Sequence, residues 1–237
     1  MKVAVVTPYY KESVQVLNNC RASVMKQTYS DVQHYMVSDG HPQQPNFACL
    51  PNHIALPRCD DYGDTPRLVG CAVADAQGAD AILLLDADCW LDPDHVERMV
   101  DTMLAKDVSV VTCPRKLWRM DGTYMGVDKE SDGERFNDTN CYLVRRDAFH
   151  LFRAWGLKDK KLAIVDDRVF WATVHHHGVS MARSKKATVN YPTSFAFHYT
   201  ERDEPVPDGA KVIVQQGEEL KMVSYSEFVK LTGRTKV

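Results

Sequence analysis

The stretch Ala79-Asp80-Ala81-Ile82-Leu83-Leu84-Leu85-Asp86-Ala87-Asp88-Cys89-Trp90-Leu91-Asp92-Pro93-Asp94 decides how this chain folds. Ala81–Leu85 is a short continuous apolar run, as expected of a parallel strand buried on both faces. It ends in two acids, Asp86 and Asp88, one residue apart. In open α/β sheets ligands sit beyond the carboxyl ends of the strands. Strand alternation puts Asp86 and Asp88 on the same side. Two acids there repel unless a cation lies between or beside them. Oxygen ligands suit Mg2+ or Mn2+, and such ions bridge to substrate phosphates. The plainer alternative is that acids after a strand cap the next helix. Asp92 fills that role in this reading, with Pro93 at the first helical position.

Working outward, Lys2–Thr7 (KVAVVT) is a Val-rich run closed by Pro8 and reads as a first buried strand. Val14, Leu17, Cys20 and Val24 recur at helical spacing, giving a helix over Ser13–Gln27. Val32–Val37 reads as a strand ended by Ser38-Asp39-Gly40, and residues 41–63, with Pro42, Pro45, Pro51 and Pro57, as an irregular loop. Arg67–Gln77 reads as a helix closed by Gly78, and a helix from Asp92 runs to Lys106 before a strand at Val108–Cys113. The order β-α-β-loop-α-β-α-β is that of a doubly wound α/β sheet. After Pro114 the rhythm loosens. Met120–Asn137 reads as a loop or hairpin, Asn140–Val144 as a strand, and Arg146–Trp155 and Ile164–His175 as helices. The tail offers a strand at Lys211–Gln215 and a helix at Ser224–Leu231.

Composition narrows the function. The 237 residues are 44% hydrophobic and 26% charged, ordinary for a globular chain and unlike a disordered or fibrous one. Lys plus Arg is 29 against 32 for Asp plus Glu, so the net charge is −3, which argues against nucleic acid as a partner. No apolar run approaches the roughly 20 residues of a spanning helix, so no transmembrane segment is expected. The seven cysteines are irregularly spaced without a CxxC pair, which reads as reduced structural thiols in the cytoplasm.

With these residues in view the chain resembles family 2 glycosyltransferases of the GT-A fold. The opening VAVVTPYYKESVQVLNNCRASVMKQTY, the segment VSDG and the run ADAILLLDADCWLDPDHVERMV carry the likeness, which extends over residues 2–200. The resemblance implies a domain at 1–200, with a nucleotide-sugar half (1–115) and an acceptor half (116–200), then a C-terminal extension (201–237). It implies an inverting transfer from a nucleoside-diphosphate sugar, a UDP-sugar first of all, to a glycan or other hydroxyl acceptor, as in polysaccharide biosynthesis. It places Thr7, Pro8 and Tyr9 along the nucleotide pocket with Glu12 nearby, Asp39 on the base, and Arg67 near base or phosphates. Asp86 would face the ribose or the outer shell of a bound Mn2+ or Mg2+, with Ala87 beside it. Asp88 would bind that metal and His198, in Phe-Ala-Phe-His-Tyr, would complete the site. Two positions depart from the family pattern: Ser38 stands for a usual Asp, and Leu68 for a common Asn.

Asp166-Asp167 sits where the family carries Glu-Asp or Gly-Asp, one carboxylate being the general base. Alignment on the first picks Asp167, on the second Asp166, and the other acid caps a helix. A positioned base is worth 10²–10⁴-fold because a sugar hydroxyl attacks poorly until its proton is accepted. Other features have bland readings. Consecutive His175-His176-His177 point about 100° apart on a helix, so they suit a helix end better than a metal. Lys158–Lys161 reads as a solvated loop, Trp118, Trp155 and Trp171 as core residues or sugar-stacking surfaces, and Asn140 as an acceptor contact. The competing readings are a sugar-phosphate nucleotidyltransferase and a degenerate nucleotide-sugar or glycan binder. The first wants a Gly-rich loop after strand one, where Thr7-Pro8-Tyr9-Tyr10 stands, and the second a loss of the carboxylates, which are present. The expected setting is cytoplasmic, free or at a membrane surface.

Overall fold

The computed structural model describes residues 1–43 and 50–237; Pro45 and Cys49 of the expected loop lie outside the described residues. The first half runs β1 (Val3–Tyr9), α1 (Val14–Met25), β2 (Val32–Asp39), β3 (His53–Leu56), α2 (Asp64–Ala76), β4 (Ala81–Leu84), β5 (Trp90–Leu91), α3 (His95–Lys106) and β6 (Val110–Thr112). Then follow β7 (Arg115–Trp118), β8 (Tyr124–Val127), β9 (Tyr142–Arg145), α4 (Ala154–Leu157), α5 (Asp166–His176), β10 (Met181–Arg183) and β11 (Val189–Pro192). The chain closes with α6 (Ala196–Thr200), β12 (Lys211–Gln216), β13 (Glu219–Ser224) and α7 (Tyr225–Thr232).

The main sheet has the order β10-β6-β9-β4-β1-β2-β3. Its strands are parallel except β9, which lies antiparallel between β4 and β6. This is the expected α/β, mostly parallel sheet. Alternation sorts its side chains onto two faces. Val3, Val5, Ala81 and Leu83 meet Cys20 and Val24 of α1 and Met99 and Met103 of α3. Ala4, Val6, Ile82 and Leu84 meet Cys71 and Ala74 of α2 and Phe170 and Val174 of α5. Helix α2 seats closely on β1 because residue 70 is glycine: a Cβ there would come within 2.5 Å of Val6 Cγ1.

Several expectations change. The loop expected at 41–63 contains β3, which extends the sheet beside β2 through Met36–Asp39. Helix α3 begins at His95, and Asp92 does not cap it. Strand β5 carries the chain past Leu91 to pair with β11, and the Asp92 amide is held by Thr188 O at 2.8 Å. The Asp92 carboxylate therefore binds Lys116 at 2.6 Å and accepts from Asn190 Nδ2 at 2.9 Å. The region after Pro114 forms a second sheet, β5-β11-β7-β8. Hairpin β12-β13 packs on α7, whose Ser224 and Glu227 form a reciprocal cap. Among the described residues no helix is long and apolar enough to cross a membrane.

Candidate active site

Arg67 on α2 ties the end of β4 to the first turn of α5. Its Nη2 meets Asp86 Oδ1 at 2.6 Å and its Nη1 meets Asp166 Oδ2 at 2.8 Å. Burial disfavours the guanidinium charge, but Asp86 and Asp166 overcome this and raise its pKa. Asn140 fixes the other oxygen of Asp86, Nδ2 to Oδ2 at 2.9 Å, and receives the Asp86 amide on its own Oδ1. Asn140 Nδ2 also reaches Asp138 Oδ1 at 2.8 Å. Asp138 pairs with Arg115, whose Nε donates to Asp128 Oδ2 at 2.8 Å and whose guanidinium covers Tyr191 at 4.0 Å. Asp128 Oδ2 lies 3.7 Å from His198 Nε2. A buried polar chain thus runs from Asp166 to His198.

The two acids of α5 are not equivalent. Asp166 is committed to Arg67, and its Oδ1 accepts the Asp167 amide at 2.7 Å. Burial raises its pKa, Arg67 opposes this, and Asp86 adds to it. Asp167 has no ion pair among the described residues. Burial, then the charges of Asp166 and Asp138, push its carboxyl up to about 7. Both line a cavity of about 470 Å³ with Arg67, Asp86, Asp138, Arg115 and His198.

Residues 67–168 match the family described as Glycosyl transferase family 2. Over that stretch the chain is similar to family 2 glycosyltransferases. Solved structures of similar fold include three of S. aureus TarS, each 16% identical to this chain. A 1–349 fragment in complex with UDP has a TM-score of 0.60, covering 85% of this chain and 63% of that one. The same fragment with UDP-GlcNAc has a TM-score of 0.60 over 81% of this chain and 59% of that one. A further TarS structure has a TM-score of 0.61 over 85% and 38%. The chain therefore spans less than two thirds of the length of these structures. No curated protein matches it in sequence.

The expected donor residues are largely turned inward. Thr7 is fully buried with its hydroxyl 2.8 Å from His34 Nε2. Pro8 is buried, and the Tyr9 hydroxyl is 2.7 Å from His53 Nε2. Ala87 packs with Tyr9, Leu17 and Met36. Glu12 accepts the Tyr10 amide at 2.6 Å. Asp39 is 2% exposed, pairs with Arg58 and accepts the Cys59 amide at 2.6 Å, while Arg58 lies over the Tyr10 ring at 3.8 Å. Arg67, Asp86, Asp166 and Asp167 are brought together as a cluster.

Asp88 is exposed. The protein around it withdraws water and Asp86 repels it, raising its carboxyl to about 6. His198 is 3% exposed; burial, then Arg115, lowers its pKa to about 4 against the pull of Asp128. Its Nδ1 meets Thr193 Oγ1 at 2.6 Å and its Nε2 has no hydrogen-bond partner. A carboxylate without a cation and a neutral imidazole with a spare nitrogen are donors that a divalent ion accepts. Among the described residues no three His, Cys, Asp or Glu side chains are grouped to hold a metal by themselves.

The sequence reading missed Arg58, Arg115, Asp128 and Asp138. Arg115 carried a signal: in Arg115-Lys116-Leu117-Trp118 it shares the phase of Leu117, and both are buried. Two expectations are corrected. Asn140 is fully buried and holds Asp86, so an acceptor does not reach it. Lys158 is not solvated: its amine pairs with buried Asp64. His175, His176 and His177 are exposed at the end of α5, as a helix-end reading requires.

Proposed function

We propose that the chain transfers a sugar, with inversion, from a UDP-sugar or another nucleoside-diphosphate sugar to a hydroxyl acceptor, a glycan among them. Asp167 is the general base. Its pKa of about 7 suits a group that must accept a proton near neutral pH. The contrast between the two acids carries this reading: Asp166 is neutralised by Arg67, and Asp167 faces the cavity without a cation. Arg67 and Asn140 hold Asp86 in one orientation, so that the acid at the end of β4 is fixed before a donor arrives. UDP and UDP-GlcNAc in the TarS structures support a uridine donor. Asp88 and His198 would hold Mn2+ or Mg2+, which when bound offsets charge on the departing nucleoside diphosphate. The setting proposed is the cytoplasm, with acceptors in solution or at a membrane surface.

The test is thermal stabilisation by UDP, GDP, CDP and TDP, each with and without Mn2+. A ligand at 100 times its Kd adds about 2.7 kcal/mol. Stabilisation by UDP that needs Mn2+ is expected, and Asp88→Asn should remove the Mn2+ dependence with the fold intact. No stabilisation by any of the four would overturn the donor assignment. UDP affinity unchanged by Asp88→Asn would overturn the metal assignment.

A further inference from the structure

The C-terminal hairpin has two apolar faces, and packing within the chain covers one of them. Side chains alternate along β12 and β13. Val214 and Val223 turn toward α7 and pack near Phe228 and Val229. Ile213 and Met222, opposite each other across the hairpin, line the cavity with Ile164, Phe195 and Phe197. All five are half-buried, so each keeps apolar surface toward the hollow. The same cavity is bounded by Asp167, Asp166 and Asp86. Its 470 Å³ lies within the range of roughly 300–1,000 Å³ that encloses a small molecule.

A cavity with a charged flank, where Arg67, Arg115 and Arg168 stand among the acids, and an apolar flank selects a ligand with both polar and apolar parts. A wholly polar glycan would leave the surfaces of Ile213, Met222 and Phe195 against water, whereas an apolar group there gains affinity by excluding it. We propose that the acceptor is a glycoside or alcohol with an apolar aglycone, its hydroxyl at Asp167 and its aglycone against Ile213, Met222 and Phe195. This rests on the acceptor role given to Asp167 above and adds the chemical class of the acceptor. In the transfer, the acceptor oxygen forms the new bond to the anomeric carbon, Asp167 takes its proton, and the bond to the nucleoside diphosphate breaks with its electron pair.

The experiment measures binding of methyl, phenyl and octyl glycosides of glucose, galactose and N-acetylglucosamine to the full chain with UDP and Mn2+ present. For at least one sugar the phenyl or octyl glycoside should bind tenfold or more tightly than the methyl glycoside. Ile213→Asp should abolish that preference, and the milder Ile213→Ala should reduce it severalfold with an unchanged circular dichroism spectrum. UDP stabilisation should persist in both variants. Equal binding of methyl and apolar glycosides, no binding of any, or a preference surviving Ile213→Asp would overturn the proposal. If UDP still stabilises the chain in those cases, the donor reading stands and only the acceptor class falls. Co-sedimentation with phosphatidylcholine vesicles containing glucosylceramide, but not with plain vesicles, would support the proposal with a membrane lipid as the source. Binding of phenyl glycosides without such sedimentation would support it with a soluble one.

Discussion

Thr7, Tyr9 and Asp39 on one side of the site, and Asp167 and His198 on the other, stand in opposite electrostatic conditions. On the first side each polar group already has a partner inside the protein: His34 at 2.8 Å, His53 at 2.7 Å, and Arg58 with the Cys59 amide. On the second, Asp167 has no ion pair among the described residues and His198 Nε2 has no hydrogen-bond partner. Satisfied groups rigidify a wall. Groups left short of partners keep perturbed pKa values and free lone pairs, which chemistry can use. The difference teaches that a residue's place along a strand end does not decide its role; its partners do.

The contrast breaks most readily at Asp167. Asp167→Asn should lower turnover by about 10²–10⁴-fold while UDP binding is retained. Asp166→Asn, which removes a group already neutralised by Arg67, should lose far less turnover. Equal, mild losses would sink the assignment. The wild-type rate should fall as pH drops through about 7, because the base must be ionised. Stability carries the opposite sign. The folded pKa lies above the ordinary value of 3.8, so ionising Asp167 opposes the fold. That penalty builds between about pH 4 and pH 7 and is complete above. Asp167→Asn should therefore melt higher than wild type at about pH 8 and equally at about pH 3. A gain of about 1 kcal/mol would appear as roughly 2–4 °C.

Arg67 joins the two sides, and its loss should be felt as stability. Arg67→Met leaves Asp86 and Asp166 facing each other without a cation. Breaking a buried pair in this way costs about 3–5 kcal/mol, read from the denaturant midpoint. A loss under about 1 kcal/mol would show that the carboxylates find water or another partner. Arg67→Lys should recover little, since a single ammonium cannot fork between two acids.

Five strands of the main sheet, β1, β2, β4, β6 and β9, were legible because their apolar runs need no partner to be recognised; the half-buried edge strands β3 and β10 were not. The second sheet was not. Strands β5 and β11 have two and four residues and exist only through pairing with distant segments. The site divides in the same way. Asp86, Asp166 and Asp167 stood out as acids in apolar surroundings. The polar chain through Asn140, Asp138 and Arg115 joins residues whose contacts span a second sheet, and no local spacing announces it. Asn140 was noticed and given the wrong partner, because sequence offers no burial for an amide.

The donor wall is tested by Thr7→Val. The change keeps the shape and removes the oxygen bonded to His34 Nε2, whose Nδ1 already lacks a partner. An imidazole left buried without partners should cost about 1–3 kcal/mol. UDP affinity should stay within twofold of wild type. A tenfold loss of UDP binding with little change in stability would instead place the hydroxyl in the donor site.

The smallest effect is expected at His175, His176 and His177. These three are exposed, and consecutive helix positions face about 100° apart, so they cannot converge on one ion while α5 stays helical. Replacing all three by Ala removes the edge-on contacts of His175 with Trp171 and of His177 with His150 and should cost no more than about 1 kcal/mol. The Mn2+ dependence of UDP stabilisation should be unchanged in that variant and lost in His198→Ala. The pair of variants separates two grounds for expecting a metal: three adjacent imidazoles in solvent, or one buried imidazole whose nitrogen has no partner. Loss of Mn2+ dependence in the triple variant would mean that α5 unwinds at its end to gather the histidines, and the metal assignment would move from His198 to that helix.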